Sequence, residues 1–139
     1  MPATATPLTR LLAHHTQEGE LVETLEDAGF EVETGLAGMP TCFVASWGSG
    51  RPVIGILAEY DALPGLGHAC GHNIIGTAAL GAGLALQAAL PELAGRIKVV
   101  GCPAEEGGAG KAYLVQAGVF EGVDAAMMFH PSTRCLTRR

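Results

Sequence analysis

The apolar and polar positions of this chain follow two periodicities, which divide it into helices and strands. Between residues 6 and 29, leucine and valine side chains recur at helical spacing among charged residues, which predicts an amphipathic helix that Gly19 could interrupt. Residues 30–33 and 41–47 are rich in β-forming side chains, and a glycine-rich turn leads into 52–57 as a hairpin partner. We therefore expect the first strands to be antiparallel.

The second half of the chain alternates helices with strands. Residues 73–90 are apolar nearly all round, which predicts a buried helix with Asn73 as its N-cap. A strand over 96–101, a shorter helix over 108–118 and an apolar strand over 124–129 follow. Crossovers of this length favour parallel pairing with right-handed connections. The pattern predicts an α/β fold with a mixed, mainly parallel sheet and flanking helices.

Composition and charge narrow the classes of function. The 139 residues suit one domain, and their formal net charge of −6, without a basic stripe, gives no reason to expect a nucleic acid partner. No apolar run reaches the roughly 18 residues of a membrane span, and no leader pattern is present, so we expect a cytoplasmic protein without a membrane partner. Four widely spaced cysteines favour reduced thiols. We expect His14 and His15 on the surface and Cys42 in the core.

Three loops should meet at one edge of the predicted sheet, because the carboxyl ends of parallel strands lie together. These loops span residues 58–72, 102–108 and 130–131. They hold much of the chain's metal-binding and acid–base chemistry, in the residues Glu59, Asp61, His68, Cys70, His72, Cys102, Glu105, Glu106 and His130. Such convergence favours a functional cleft over chance.

The segment from Gly67 to Asn73 carries the densest group of donors in the chain. Cys70 and His72 are separated by one glycine, so a kinked backbone could direct both side chains at one ion. His130 ends a strand before a proline and should emerge at the same edge. Three interpretations remain open for the cysteine: a metal ligand, a nucleophile paired with a neighbouring histidine (His72 or His68), or a packed core residue.

Two adjacent carboxylates, Glu105 and Glu106, follow the central strand. On an extended segment they would point to opposite sides, so that one could bind a metal while the other takes a proton from a metal-bound water. Alternatively, both could favour the start of the following helix through its dipole. Asp61 could hold an imidazole in its metal-binding tautomer, or it could be a simple turn residue.

Four motifs together resemble the binuclear metal-dependent amidohydrolases and peptidases. They are Glu59–Gly65, Gly67–Asn73, Pro103–Gly108 and His130–Pro131, and the similarity is strongest to the branch with aminobenzoyl-glutamate hydrolases, hippurate hydrolases and β-alanyl-lysine type dipeptidases. The resemblance implies a zinc-exopeptidase-like fold with two divalent ions, zinc or manganese. It assigns Cys70, His72, Glu106 and His130 as metal ligands, Glu105 as the general base, and leaves Asp61 as a candidate for orienting a ligand.

The same resemblance implies hydrolysis of amide bonds in N-acyl amino acids or dipeptides by a metal-activated water. Many family members have Asp after the Cys-Gly-His sequence, where Asn73 stands here. Family members are also about three times longer, so we expect residues 1–139 to be the N-terminal portion of the catalytic domain, without the lid or dimerisation domain and the second catalytic segment. Low activity and self-association into a homo-oligomer are then expected. The alternative is a non-catalytic binding or oligomerisation module.

Overall fold

The structure is a computed structural model that describes residues 18–132. The predicted helix before residue 18, with His14 and His15, and the cysteine at 135 lie outside these residues. The elements are α1 (Glu18–Asp27), β1 (Glu31–Thr34), a 3-10 turn (Leu36–Gly38), β2 (Phe43–Glu59), α2 (His72–Ala89), β3 (Ala94–Cys102), α3 (Glu105–Gly108), α4 (Gly110–Gln116) and β4 (Ala125–Met127).

The long strand β2 changes its direction relative to β3 part-way along its length. Residues 43–49 pair with β3 in falling register, which is antiparallel, whereas residues 53–59 pair with it in rising register, which is parallel. Val100 in β3 accordingly has Val44 on one side and Leu57 on the other. The predicted hairpin is therefore wrong, because β3 lies between the two halves of β2.

The apolar character of β3 explains why it takes the central position. Ile97, Val99 and Val100 are at most 3% exposed, and these side chains point to both faces of the sheet. A strand that is apolar on both faces buries most area when strands flank it and helices cover it. The pairing of two neighbouring segments in a hairpin would have left this strand at an edge.

The outer strands complete a mixed sheet. β1 pairs antiparallel with the first half of β2, as predicted, and β4 pairs parallel with residues 54–56 of its second half. β4 is shorter than the predicted strand and lies beside β2 rather than beside β3. The predicted α/β class with a mixed sheet and flanking helices is confirmed.

Helices cover the two faces of the sheet. α1 and α2 pack over one cluster that contains Leu21, Leu25 and Leu80, and α4 contributes Leu114 to a second cluster. The predicted core position of Cys42 is confirmed, since its side chain is fully buried in that second cluster. Within residues 18–132, no helix combines the length and the apolar character that crossing a membrane requires.

Helix α2 differs from its prediction in two respects. It begins at His72 with Gly71 as its N-cap, so the assignment of Asn73 as N-cap is wrong. Only one face is buried, at positions three and four residues apart, while Ile74 on another face is 44% exposed. Small residues on the exposed face made the whole helix resemble a buried one.

Candidate metal centre

The loops that follow β2, β3 and β4 meet at the edge where these strands end in parallel. The donor atoms of Cys70, His72 and Glu106 lie within 4.8 Å of one another, and so do those of Glu59, His72 and His130. The four residues that the sequence suggested as metal ligands therefore come together, and Glu59 joins them. His72 belongs to both groups.

His72 is fully buried in the first turn of α2, and its two ring nitrogens have different surroundings. Nδ1 lies 2.8 Å from the carbonyl oxygen of Asp61 and 3.0 Å from its Oδ1. Both partners are acceptors, so Nδ1 carries a proton and donates it. Nε2 has no hydrogen-bond partner among the described residues and faces the other donors. In the neutral ring, Nε2 then offers a lone pair to a cation.

Cys70 and Glu106 form a second side of the site. The thiol donates to Glu106 Oε1 at 3.3 Å, and the same oxygen lies 3.6 Å from His72 Nε2. The hydrogen bond to Glu106, partial burial and neighbouring carboxylates raise the pKa of the Cys70 thiol. A catalytic thiolate needs cationic surroundings instead, so these carboxylates disfavour the nucleophile interpretation.

His130 approaches from the loop after β4. Its ring lies edge-on to that of His72, with 6.2 Å between centroids, and its Nδ1 donates to the carbonyl oxygen of Pro131 at 2.9 Å. The approach depends on Gly71, because a Cβ at this position would lie 2.8 Å from Pro131 Cγ. Gly71 also has a φ of +81°, which favours glycine. The glycine between Cys70 and His72 thus lets the two loops touch.

Glu105 and Glu106 lie in the one-turn helix α3, so their prediction on an extended segment is wrong. Their carboxylates still diverge: Glu106 faces Cys70, whereas Glu105 Oε2 lies 3.0 Å from the ammonium of Lys111. The backbone N–H of Glu105 donates to Asp61 Oδ2 at 3.2 Å. Asp61 therefore contacts both His72 and the turn that carries Glu105.

The predicted helix over 108–118 is also shorter than expected. It is interrupted at Ala109, which has a φ of 50°, and the regular part is α4. This break places Lys111 in the first turn of α4, where its ammonium contacts both Glu59 Oε1 and Glu105. Burial alone would lower the pKa of Lys111, but the hydrogen bonds to Glu59 and Glu105 outweigh it and raise the pKa.

Glu59 and Lys111 are the two site residues to which sequence reasoning gave no role. A carboxylate at the end of a buried strand needs a counter-charge, and Lys111 is the only Lys or Arg between residues 99 and 133. That signal could have paired them. The contacts form a closed ring that runs through His72, Asp61, Glu105, Lys111 and Glu59 back to His72.

A cleft of about 570 Å³ opens beside this ring. Asp61 and Glu106 form its polar side, and much of the remaining wall is apolar, from Tyr60, Leu63, Pro64 and Pro103. Such a mixture of apolar walls and a few polar groups is typical of sites for small molecules. The volume is in the range that holds a ligand of modest size.

The donor types and their spacing fit a divalent ion. Thiol, imidazole and carboxylate are the ligands that zinc prefers, and in a tetrahedral site with bonds of about 2.1 Å neighbouring donors lie about 3.4 Å apart. The separations here are 3.3 Å from Cys70 Sγ to Glu106, and 3.6 Å from Glu106 to His72. The buried lone pair of His72 Nε2 is the strongest single sign of a missing partner.

Comparison with known proteins gives the same direction. Residues 55–137 match the profile of the peptidase family M20/M25/M40. The chain is 44% identical over 130 residues to a p-aminobenzoyl-glutamate hydrolase polypeptide of Escherichia coli, covering 80% of this chain and 27% of that protein. It is 42% identical over 133 residues to the Xaa-Arg dipeptidase of Mus musculus, covering 85% and 31%.

A solved structure shares the fold. The YXEP protein of Bacillus subtilis, described as a dinuclear metal binding peptidase, superposes with a TM-score of 0.73 at 27% identity, over 86% of this chain and 42% of that one. The chain spans about a third or less of the length of the two curated relatives. The resemblance expected from the motifs is confirmed, and the chain belongs to the peptidase family M20/M25/M40.

Proposed function

We propose that this chain carries part of the active site of a metal-dependent hydrolase that cuts amide bonds in N-acyl amino acids or dipeptides. The observation that carries the proposal is the buried Nε2 of His72, which has no hydrogen-bond partner among residues 18–132 and faces the donors of Glu59 and Glu106. The two relatives are named for p-aminobenzoyl-glutamate and for Xaa-Arg dipeptides, and both names support a substrate of this class.

The proposed ligands are Cys70, His72, Glu106 and His130, for two divalent ions. The thiol and imidazole donors favour zinc, and the carboxylates are also compatible with manganese. When bound, such ions polarise the amide carbonyl and lower the pKa of a water molecule. Asp61 orients His72 through Nδ1, so that Nε2 stays unprotonated and available.

Glu105 is the proposed general base. Lys111 holds one of its carboxylate oxygens, and the bond from its backbone N–H to Asp61 ties it to His72. In this position Glu105 takes a proton from the attacking water and returns it to the amine that leaves. The apolar walls of the neighbouring cleft suit an uncharged acyl portion of the substrate.

The chain alone is proposed to turn over slowly, since it spans less than a third of the relatives it matches. A non-catalytic role as a binding or oligomerisation module is the second candidate. It is favoured by the exposed apolar side chains at and after β4, where Met127 is 56% and Phe129 58% exposed. These residues would also support a homo-oligomer. The free cysteines 42, 70 and 102 support a reducing compartment such as the cytoplasm.

The direct test combines metal analysis with hydrolysis assays on N-acyl amino acids and dipeptides. The proposal predicts bound zinc or manganese after dialysis, and slow hydrolysis that chelators abolish. Glu106→Ala should lose both metal and activity, whereas Glu105→Gln should lose activity and keep the metal. A chain that binds no metal, or a Glu106→Ala variant that behaves like the parent, would contradict the proposed function.

A further inference from the structure

The carboxylate of Glu59 has an unusual environment. It is 2% exposed at the end of β2, and only one of its oxygens is neutralised, through the contact of Oε1 with Lys111. Oε2 has no hydrogen-bond partner among residues 18–132. A buried carboxylate oxygen without a partner is destabilising, so its position calls for an explanation.

The atom that Oε2 faces is equally electron-rich. It lies 3.2 Å from His72 Nε2, yet the two atoms form no hydrogen bond. Because Nδ1 of His72 carries the proton that Asp61 accepts, Nε2 of the neutral ring presents a lone pair. Two buried lone pairs at this distance repel each other, and a cation bound between them would stabilise both.

The spacing fits that arrangement. Neighbouring donors of a tetrahedral ion with bonds of about 2.1 Å lie about 3.4 Å apart. Oε2 of Glu59 is 3.2 Å from Nε2, and Oε1 of Glu106 is 3.6 Å from it on the other side. The two carboxylates thus flank the imidazole nitrogen at distances that shared coordination would produce.

We propose that Glu59 is itself a metal ligand, through Oε2, of the ion that His72 Nε2 binds. Lys111 is then the residue that neutralises and orients this ligand through Oε1. The inference rests on the proposed function, since it presupposes a divalent ion at the site. Because one nitrogen lone pair binds one ion, the two donor groups that share His72 meet at the same ion, and a second ion requires a bridging carboxylate.

The test measures zinc affinity by competition with a chromophoric chelator, so it needs no turnover. Glu59→Gln keeps the size of the side chain and removes its charge, and it should weaken zinc binding about tenfold or more. Glu33→Gln is the matched control, because Glu33 is an exposed carboxylate on β1. Its affinity should equal that of the parent chain.

A second readout separates a ligand from a structural ion pair with Lys111. If Glu59 binds the ion, the zinc-induced rise in melting temperature shrinks in Glu59→Gln and also in Glu59→Asp, which keeps the charge but withdraws the carboxylate by one methylene. If Glu59 only pairs with Lys111, the metal-free melting temperature falls and the zinc-induced rise is unchanged. Glu59→Asp covers the case in which Glu59→Gln does not fold.

The outcomes also separate this inference from the proposed function. Normal zinc affinity in both Glu59 variants, together with lost affinity in Cys70→Ala, overturns the role of Glu59 and leaves the metal centre standing. Absence of zinc binding by the parent chain overturns both.

Discussion

At the scale of single residues, the site is organised by the two nitrogens of His72. One nitrogen is occupied by Asp61, and the other is buried, has no hydrogen-bond partner in the described part of the chain and faces the carboxylates of Glu59 and Glu106. Burial fixes the ring, and the acceptors at Nδ1 fix its tautomer. Asp61 should therefore influence metal affinity although it is not proposed as a ligand.

Asp61→Ala is expected to weaken zinc binding by about tenfold to a hundredfold, because the ring of His72 loses the groups that orient it. Chelator competition measures the change. Asp27→Ala, which alters an exposed carboxylate at the end of α1, is the control and should bind zinc normally. Equal affinity of Asp61→Ala and the parent would show that the contact at Nδ1 has no influence on the site.

Lys111→Met is expected to destabilise the fold by about 3 kcal/mol, because it leaves the buried carboxylate of Glu59 unpaired. The value is at the lower end of the range for buried pairs, since Lys111 is partly exposed. Urea denaturation without metal measures the free energy of unfolding. Lys98→Met is the comparison, as Lys98 has no ion pair within the described part of the chain. A loss no larger than in this comparison would argue against the pairing.

At the scale of elements, the site depends on how closely the loops after the parallel strands can pack. Gly71 admits Pro131, and Gly110 at the start of α4 lies directly against the loop after β3. A Cβ at Gly110 would lie 1.9 Å from the carbonyl oxygen of Pro103. The position of α4, and with it that of Lys111, is therefore set by a contact that only glycine allows.

Gly110→Ala is expected to destabilise the protein by about 1–3 kcal/mol or more, because backbone must move to make room for the methyl group. Gly107→Ala lies three residues away and has no atom within 4 Å of its added Cβ. It should be neutral or stabilise by up to about 1 kcal/mol. Thermal unfolding of the pair tests the contact, and similar stabilities would contradict the packing described.

A second contact between elements gives a prediction about pH. Asp124, just before β4, accepts hydrogen bonds from the backbone N–H of Val53 and from Arg51, and these lower the pKa of its carboxyl below 3.8. The stabilisation is complete above the pKa of the unfolded chain and is lost as the pH falls through the lower pKa of the folded state.

The stability difference between the parent and Asp124→Asn should therefore be largest near neutral pH and disappear in acid, below about pH 3. Urea denaturation across this range measures it, and the exposed Asp27→Asn should show no such trend. A difference that grows on acidification would have the wrong sign for this contact.

At the scale of the whole molecule, the sequence predicted where the chemistry collects but not every contact within it. Parallel strands bring their following loops together whatever the details, so the meeting of Cys70, His72, Glu106 and His130 was predictable. The position of β3 between the halves of β2 was not, because it depends on the burial of a whole strand. The pairing of Glu59 with Lys111 joins residues 52 apart in the chain and follows from the break at Ala109, which no local pattern indicated.

The metal centre is the central claim, and equilibrium dialysis against zinc tests it most directly. Cys70→Ala and Cys42→Ala form a matched pair, because each removes one thiol and only Cys70 lies among the donors of the described residues. The parent and Cys42→Ala are predicted to retain zinc, and Cys70→Ala to bind it far more weakly. Equal zinc binding by the two variants, or none by the parent chain, would contradict the claim.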